Sequence, residues 1–202
     1  MITAIVLAAG ASERMGRPKA LLPLGEGPFL AVILEKCRSA GLGEVVVAVG
    51  PDLDNRLSNI DLGESRLVRN PRPETGPIGS IRLALADLNQ TVEAVLVWHV
   101  DRPHVRADTV RLLLERFREG SQPIVVPGYG GRRGHPVVFG RAVFAELERV
   151  PDHEGARGVV RADPSRVALV DVDDPAVVED IDTPEDYERL VGRGRTKRPT
   201  DD

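Results

Sequence analysis

The chain carries one cysteine in 202 residues, Cys37, which excludes an intrachain disulfide. Cys37 falls in helical register with Leu30, Ile33 and Leu34, so it reads as a small buried hydrophobe and not as a reactive thiol. No apolar run approaches the length of a membrane span. The N-terminus has neither the basic region nor the cleavage site of a signal peptide, and a cytoplasmic protein is the expectation. Excess positive charge is missing too: 27 Lys and Arg stand against 31 Asp and Glu, for a net charge of -4. That balance argues against nucleic acid as a general partner. Zinc-ligand spacing is absent, because His99, His104, His135 and His153 have no Cys partners and no His-x3-His pattern; His99, which precedes Asp101, reads as packing or as support behind that aspartate. A Walker loop would need Gly-x4-Gly-Lys-Ser/Thr. Here five residues separate Gly10 from Gly16, and Lys19 is followed by Ala20. The dinucleotide pattern Gly-x-Gly-x-x-Gly is missing as well.

What is present is a strand that runs into a loop of small residues. Ile2-Thr3-Ala4-Ile5-Val6-Leu7 is a β-branched apolar run, followed by Ala8-Ala9-Gly10-Ala11-Ser12. Small residues let the backbone approach a ligand closely. Arg14, Arg17 and Lys19 follow within six positions and read as exposed loop cations. A strand ending in such a loop is how an α/β protein holds a phosphate chain. The plain alternative is a turn whose basic residues are merely solvated. Pro18, which holds Arg17 extended just before Lys19, favours the phosphate site. An acidic protein can bind an anion when its cations are focused in one cleft.

Strand-like and helical patterns alternate along the chain. Strands are expected at 4–7, 45–49, 67–69, 94–97, 124–126, 137–139 and 167–170, and helices near 29–40, 78–88, 107–119, 141–147 and 184–190. The alternation implies a mostly parallel sheet with helices on both faces, in one domain over residues 1–191. Ligands then bind beyond the C-terminal strand ends, in the loops after Leu7, Arg69, Val97 and Val126. Residues 192–202 contain no apolar side chain and read as a flexible basic tail.

The run Ala94–Val100 is a buried strand that emits Asp101 at the ligand end. An aspartate facing phosphates needs a cation between them, and Mg²⁺ suits carboxylate and phosphate oxygens. Thr183-Pro184-Glu185-Asp186 reads as a helix start with Thr183 as N-cap, and this assigns Asp186 to the helix. Asp182 lies just outside. Two further loops carry chemistry. Asn70 to Ile81 is shaped by Gly and Pro and opens a helix. Gly130 to Pro136 places Arg132, Arg133 and His135 together, and arginine forks match phosphate geometry.

Taken together, Leu7-Ala8-Ala9-Gly10-x-Ser12-x-Arg14-Met15-Gly16-x-x-Lys19-x-Leu21-Leu22-Pro23-Leu24 resembles the signature loop of the MobA/MocA-like nucleotidyltransferases, nearest to the molybdenum cofactor cytidylyltransferases. The resemblance implies a Rossmann-like nucleotidyltransferase fold. It implies that a nucleoside triphosphate is held by the backbone of Leu7, Ala8, Ala9 and Gly10 with Arg14 and Lys19. Lys19, Arg14 and Asp101 become the catalytic set, Asp101 and Asp182 the Mg²⁺ ligands. Asn70, Gly76 and Ser80 are placed at the nucleobase. Arg133, Gly134, His135 and Pro136, with Glu154-Gly155-Ala156-Arg157, match the acceptor-binding part. The implied acceptor is phosphorylated and molybdopterin-type, with a molybdoenzyme or insertion chaperone as a protein partner. Arg102 stands where relatives carry an uncharged residue, and is expected to offer a contact to an acidic substrate. The loops disagree on the base. Leu7 to Gly10 resembles cytidylyl-transferring members, whereas Thr75-Gly76-Pro77-Ile78-Gly79 is closer to guanylyl-transferring ones. CTP is the implied donor; the alternatives are a guanylyltransferase, a sugar phosphate as acceptor, or a non-catalytic nucleotide-binding protein for cofactor insertion.

Overall fold

The computed structural model describes residues 1–57 and 60–195. Its elements in chain order are β1 (Ile2–Ala8), the short pair β2 (Pro23–Leu24) and β3 (Gly27–Pro28), α1 (Phe29–Ser39), β4 (Glu44–Val49) and α2 (Pro51–Asp54). They continue with β5 (Arg66–Arg69), α3 (Gly76–Ala86), β6 (Ala94–His99), α4 (Ala107–Glu119), β7 (Ile124–Tyr129), β8 (Arg132–Arg133) and β9 (Val137–Gly140). α5 (Phe144–Arg149), α6 (Gly155–Ala162), β10 (Val167–Asp171) and α7 (Pro184–Arg195) complete the chain. The main sheet has the order β10-β7-β9-β6-β1-β4-β5, with β8 added to β7. β1 pairs in parallel with β4 and β6, β4 with β5, and β7 with β10. β9 runs antiparallel between β6 and β7. The sheet is therefore mostly parallel and flanked by helices, as the alternation implies.

Every residue of β1 is buried, because both faces of the sheet are covered. Ala4, Val6 and Ala8 pack with α1 and α4 (Leu30, Leu34, Leu113), while Ile5 and Leu7 pack with α3 (Ile78, Ile81). Cys37 is fully buried in the first cluster, and burial pushes its thiol up to about 12. Trp98 is 0% exposed and its Nε1 donates to the Arg102 carbonyl at 3.0 Å. Removing such a side chain costs about 3–5 kcal/mol.

The short elements β2, β3, α2 and β8 are not among those expected, and three further details differ. The helix expected near 141–147 begins as a 3-10 turn, Arg141–Val143, before α5. α6 was not anticipated, since its apolar pair Val159-Val160 is short and set among charges. α7 continues through Gly192 to Arg195, four residues into the segment assigned to a tail. The remainder of that tail lies outside the described residues. A third, small cluster explains where α7 sits: Met15, Leu22, Phe29 and Ile181 form it, with Tyr187 and Leu190 packed against them. The Tyr187 hydroxyl donates to the Pro23 carbonyl at 2.9 Å, and Arg17 lies over its ring at 5.6 Å. The C-terminal helix is thereby fastened to the loop after β1.

Candidate active site

The loop after β1 is folded on Ser12. This serine adopts φ 54°, the left-handed region, where a non-glycine residue is strained. Its carbonyl accepts from the N–H groups of Met15 (3.0 Å) and Gly16 (3.1 Å), and its hydroxyl accepts from the Lys19 N–H (3.2 Å). Glycine is required where β4 ends, for a Cβ on Gly50 would meet the Ala9 carbonyl oxygen at 2.7 Å. The loop is thus held close above the sheet, with Lys19 returned toward β6.

Asp101 follows β6, and Asp182 precedes α7. The Ile181 N–H donates to the Asp101 carbonyl at 3.0 Å, which sets the two aspartates side by side. Asp186 accepts from the N–H groups of Asp182 (3.1 Å) and Thr183 (3.0 Å), while the Thr183 hydroxyl accepts from the Asp186 N–H (3.2 Å). This reciprocal cap starts α7 as the sequence implies. It also fixes the backbone of Asp182.

Lys19 Nζ donates to Asp182 Oδ1 and stands 3.6 Å from Asp101 Oδ2. Arg14 Nη2 donates to Asp182 Oδ2 at 2.8 Å. Burial works to raise the Asp182 carboxyl, but the hydrogen bonds and charges of Lys19 and Arg14 outweigh it and hold it below the usual range. The Lys19 side chain is 11% exposed, so it is not the exposed cation that the sequence suggests; Arg14, at 71%, is. Asp101 Oδ1 is buried without a hydrogen-bond partner. An orphaned carboxylate oxygen beside a second carboxylate fits a divalent cation, as Mg²⁺ takes one or two carboxylates and completes its shell with other oxygens. Among the described residues no three His, Cys, Asp or Glu side chains converge, so the fit is to this pair and not to a closed protein cage.

Leu7, Ala9, Gly10, Arg14, Lys19, Gly76, Ser80, Asp101 and Asp182 line one cavity of about 360 Å³. α3 presents its N-terminal turn there, and free N–H groups at a helix start favour anions and acceptor oxygens. Two residues expected at the nucleotide stand apart from this cavity. Ala8 lines a smaller one of about 270 Å³ behind the loop, shared with Ala9 and Gly10 and edged by Arg56. Asn70 is 2% exposed, and its amide is spent on Ser80 Oγ (3.0 Å) and the Arg72 N–H (2.9 Å). It orients Ser80 from behind.

A second cavity of about 450 Å³ adjoins the first. Its floor is apolar, with Ile78, Ile81, Val126, Val137 and Phe139, and its rim carries Arg133, Arg157 and Arg161. None of these three arginines makes a side-chain hydrogen bond or ion pair among the described residues, whereas Arg82 and Arg166 nearby are paired. Gly134 and His135 line it as well; Pro136 does not. Gly134 packs against the Val177 carbonyl so closely that no Cβ fits. His99 lines both cavities. Its ring meets that of His135 edge-on, with centroids 4.6 Å apart. Burial lowers the pKa of both imidazoles. The sequence reading places His135 in the acceptor loop and His99 beside Asp101 as packing or support; the structure puts both at the second cavity, and the end of β6 brings His99 to the first as well.

Arg102 departs from expectation. It lines neither cavity and is 9% exposed, donating to the Val177 carbonyl and pairing with Asp180 at 2.6 Å. A buried guanidinium with these partners braces the segment that leads to Asp182 and is not available to a substrate.

Comparison with known proteins places this geometry. A family model described as "MobA-like NTP transferase domain" matches residues 4–168. Nicotine blue oxidoreductase of Paenarthrobacter nicotinovorans is 34% identical over 199 residues, covering 94% of this chain and 96% of that protein. Molybdenum cofactor cytidylyltransferase of Escherichia coli is 24% identical over 188 residues, covering 92% and 93%. Among solved structures, Rv0371c of Mycobacterium tuberculosis superposes with a TM-score of 0.82 at 30% identity, covering 95% of this chain and 97% of that one. Its manganese complex superposes at 0.75, with 29% identity and coverage of 95% and 98%.

Proposed function

The chain belongs to the MobA-like NTP transferase family, and on that premise we propose that it transfers a nucleoside monophosphate, from CTP in preference to GTP, to a phosphorylated molybdopterin-type acceptor with release of pyrophosphate. The observation that carries the reading is Lys19 set between Asp101 and Asp182 in a cavity at the C-terminal ends of parallel strands. The acceptor phosphate attacks the α-phosphorus in line. Lys19 and Arg14 meet the charge that develops on the departing pyrophosphate, where preorganised cations contribute most. No general base is needed, because a phosphate attacker is already ionised. Asp101 and Asp182 would hold Mg²⁺, which supplies neutralisation of phosphate oxygens. The arginine-rimmed second cavity takes the acceptor, its apolar floor suiting a ring system and its arginines an anion.

Support for the donor is the Leu7–Gly10 segment, and support for the acceptor is the similarity to the cytidylyltransferase. The relative named as an oxidoreductase gives a competing reading of the same fold. A single screen separates them: pyrophosphate release from each of four nucleoside triphosphates with molybdopterin or sugar phosphates, beside NADH and NADPH oxidation. The reading expects release with CTP and molybdopterin. Release only with GTP or only with sugar phosphates would transfer the chain to a different branch, and nicotinamide oxidation without release would refute transfer altogether.

A further inference from the structure

The two cavities share only Pro77 and His99 among the described residues. Pro77 offers no side-chain donor, so His99 is the one polar side chain at the seam. It ends β6, on the face that Val95 and Val97 bury against α3. Its ring is held in place edge-on by His135 of the acceptor-side loop, at 4.6 Å and 67°. Two residues further on, Asp101 already belongs to the phosphate end. The inference rests on the transfer reading above. In that reaction an acceptor oxygen in the arginine-rimmed cavity must bond to an α-phosphorus in the lysine cavity, and the seam is where the two can meet.

We propose that His99 is a catalytic residue that touches both reacting phosphates. Its imidazole N–H donates to the acceptor phosphate and holds the attacking oxygen in line with the α-phosphorus. The bond from that oxygen to the α-phosphorus forms while the bond from the α-phosphorus to the α–β bridging oxygen breaks. Pyrophosphate leaves with the electron pair. No proton moves, so His99 acts as a donor and a positioner of the nucleophile and not as a base. A positioned donor of this kind is worth about 10²-fold in turnover.

The test has two arms. The ring signals of His99, assigned by NMR in the intact chain, are followed on adding CTP with Mg²⁺ alone and inorganic phosphate alone. Both additions shift them if His99 faces both cavities, and a response to neither overturns the proposal whatever the acceptor is. In the second arm, turnover is measured with the acceptor that releases pyrophosphate in the screen. His99→Leu lowers kcat by about 10²-fold, and His99→Gln, which retains an N–H donor, recovers about tenfold of that loss. CTP affinity by calorimetry stays within about threefold in both variants, and circular dichroism confirms the fold. Equal losses in the two variants, or none, overturn the role of His99 while transfer stands. A wild-type chain that releases no pyrophosphate overturns the transfer reading instead, and the NMR arm still reports on the seam.

Discussion

Lys19→Met removes one cation from between two carboxylates and keeps the apolar stem. In the native arrangement the ammonium bonds Asp182 and lies 3.6 Å from Asp101. At an effective dielectric near 20, each such contact is worth about 4 kcal/mol gross. Desolvation of a lysine that is only 11% exposed offsets most of this. The net loss of stability is expected at about 2 kcal/mol, the scale of a charged hydrogen bond left half-made. Turnover should fall by about 10²–10³, the cost of a missing preorganised donor. The sign for metal is the opposite. With the competing ammonium gone, Asp101 and Asp182 face each other, and relief of about 1–2 kcal/mol of repulsion tightens Mn²⁺ binding by about 5–30-fold. Calorimetric Mn²⁺ titration, thermal unfolding with and without the ion, and pyrophosphate release read the three effects. A folded variant that binds Mn²⁺ more weakly than wild type would falsify the placement of the ion between Asp101 and Asp182, and one that turns over at the wild-type rate would remove Lys19 from the catalytic set.

Asp101→Asn should weaken Mn²⁺ binding more than Asp182→Asn, because Asp101 Oδ1 is an acceptor with no partner whereas both Asp182 oxygens are already engaged; equal Mn²⁺ affinities in the two would place the ion elsewhere. His104, lowered to about 4 by burial, is bound neutral in the fold. The unfolded chain therefore takes up more protons between pH 6.5 and 4, and stability is lost as pH falls through that window, by up to about 3 kcal/mol from this group. Urea unfolding of His104→Gln should show a flatter decline there, and an unchanged slope would exclude His104 as the cause. Arg133→Ala should raise the acceptor KM with little change in nucleotide affinity, since Arg133 rims only the second cavity; lost CTP binding with an unaltered acceptor KM would reverse the assignment of the two cavities.

The alternation of patterns along the chain made the parallel half of the sheet legible, because a strand buried on both faces must read as a continuous apolar run. The signature loop was legible for a different reason. Small residues and fixed cations leave few other uses for such a segment. Asp182 was harder. The helix start sets Asp186 apart, but nothing local distinguishes Asp182 from Asp180, and what brings it to the site is the Ile181 hydrogen bond to Asp101, a contact made across the fold. Arg102 misled for the same reason, as its partners, Val177 and Asp180, come from a remote segment. The partition into two cavities was invisible as well, since it depends on which strand ends adjoin after the order β9-β6-β1 is set. α6 escaped notice because eight residues supply too few turns for a periodic signal.

The bond between Lys19 and Asp182 spans 163 positions. A ribosome makes the lysine early and the aspartate late. Until Asp182 has emerged, Arg14 lacks its carboxylate, Lys19 has Asp101 alone as a counter-charge, and Asp101 has no neighbouring carboxylate. A growing chain can lay down β1, β4, β5 and β6 and still lack half of this site. The pair of carboxylates is therefore complete only once the segment that leads into α7 has been made.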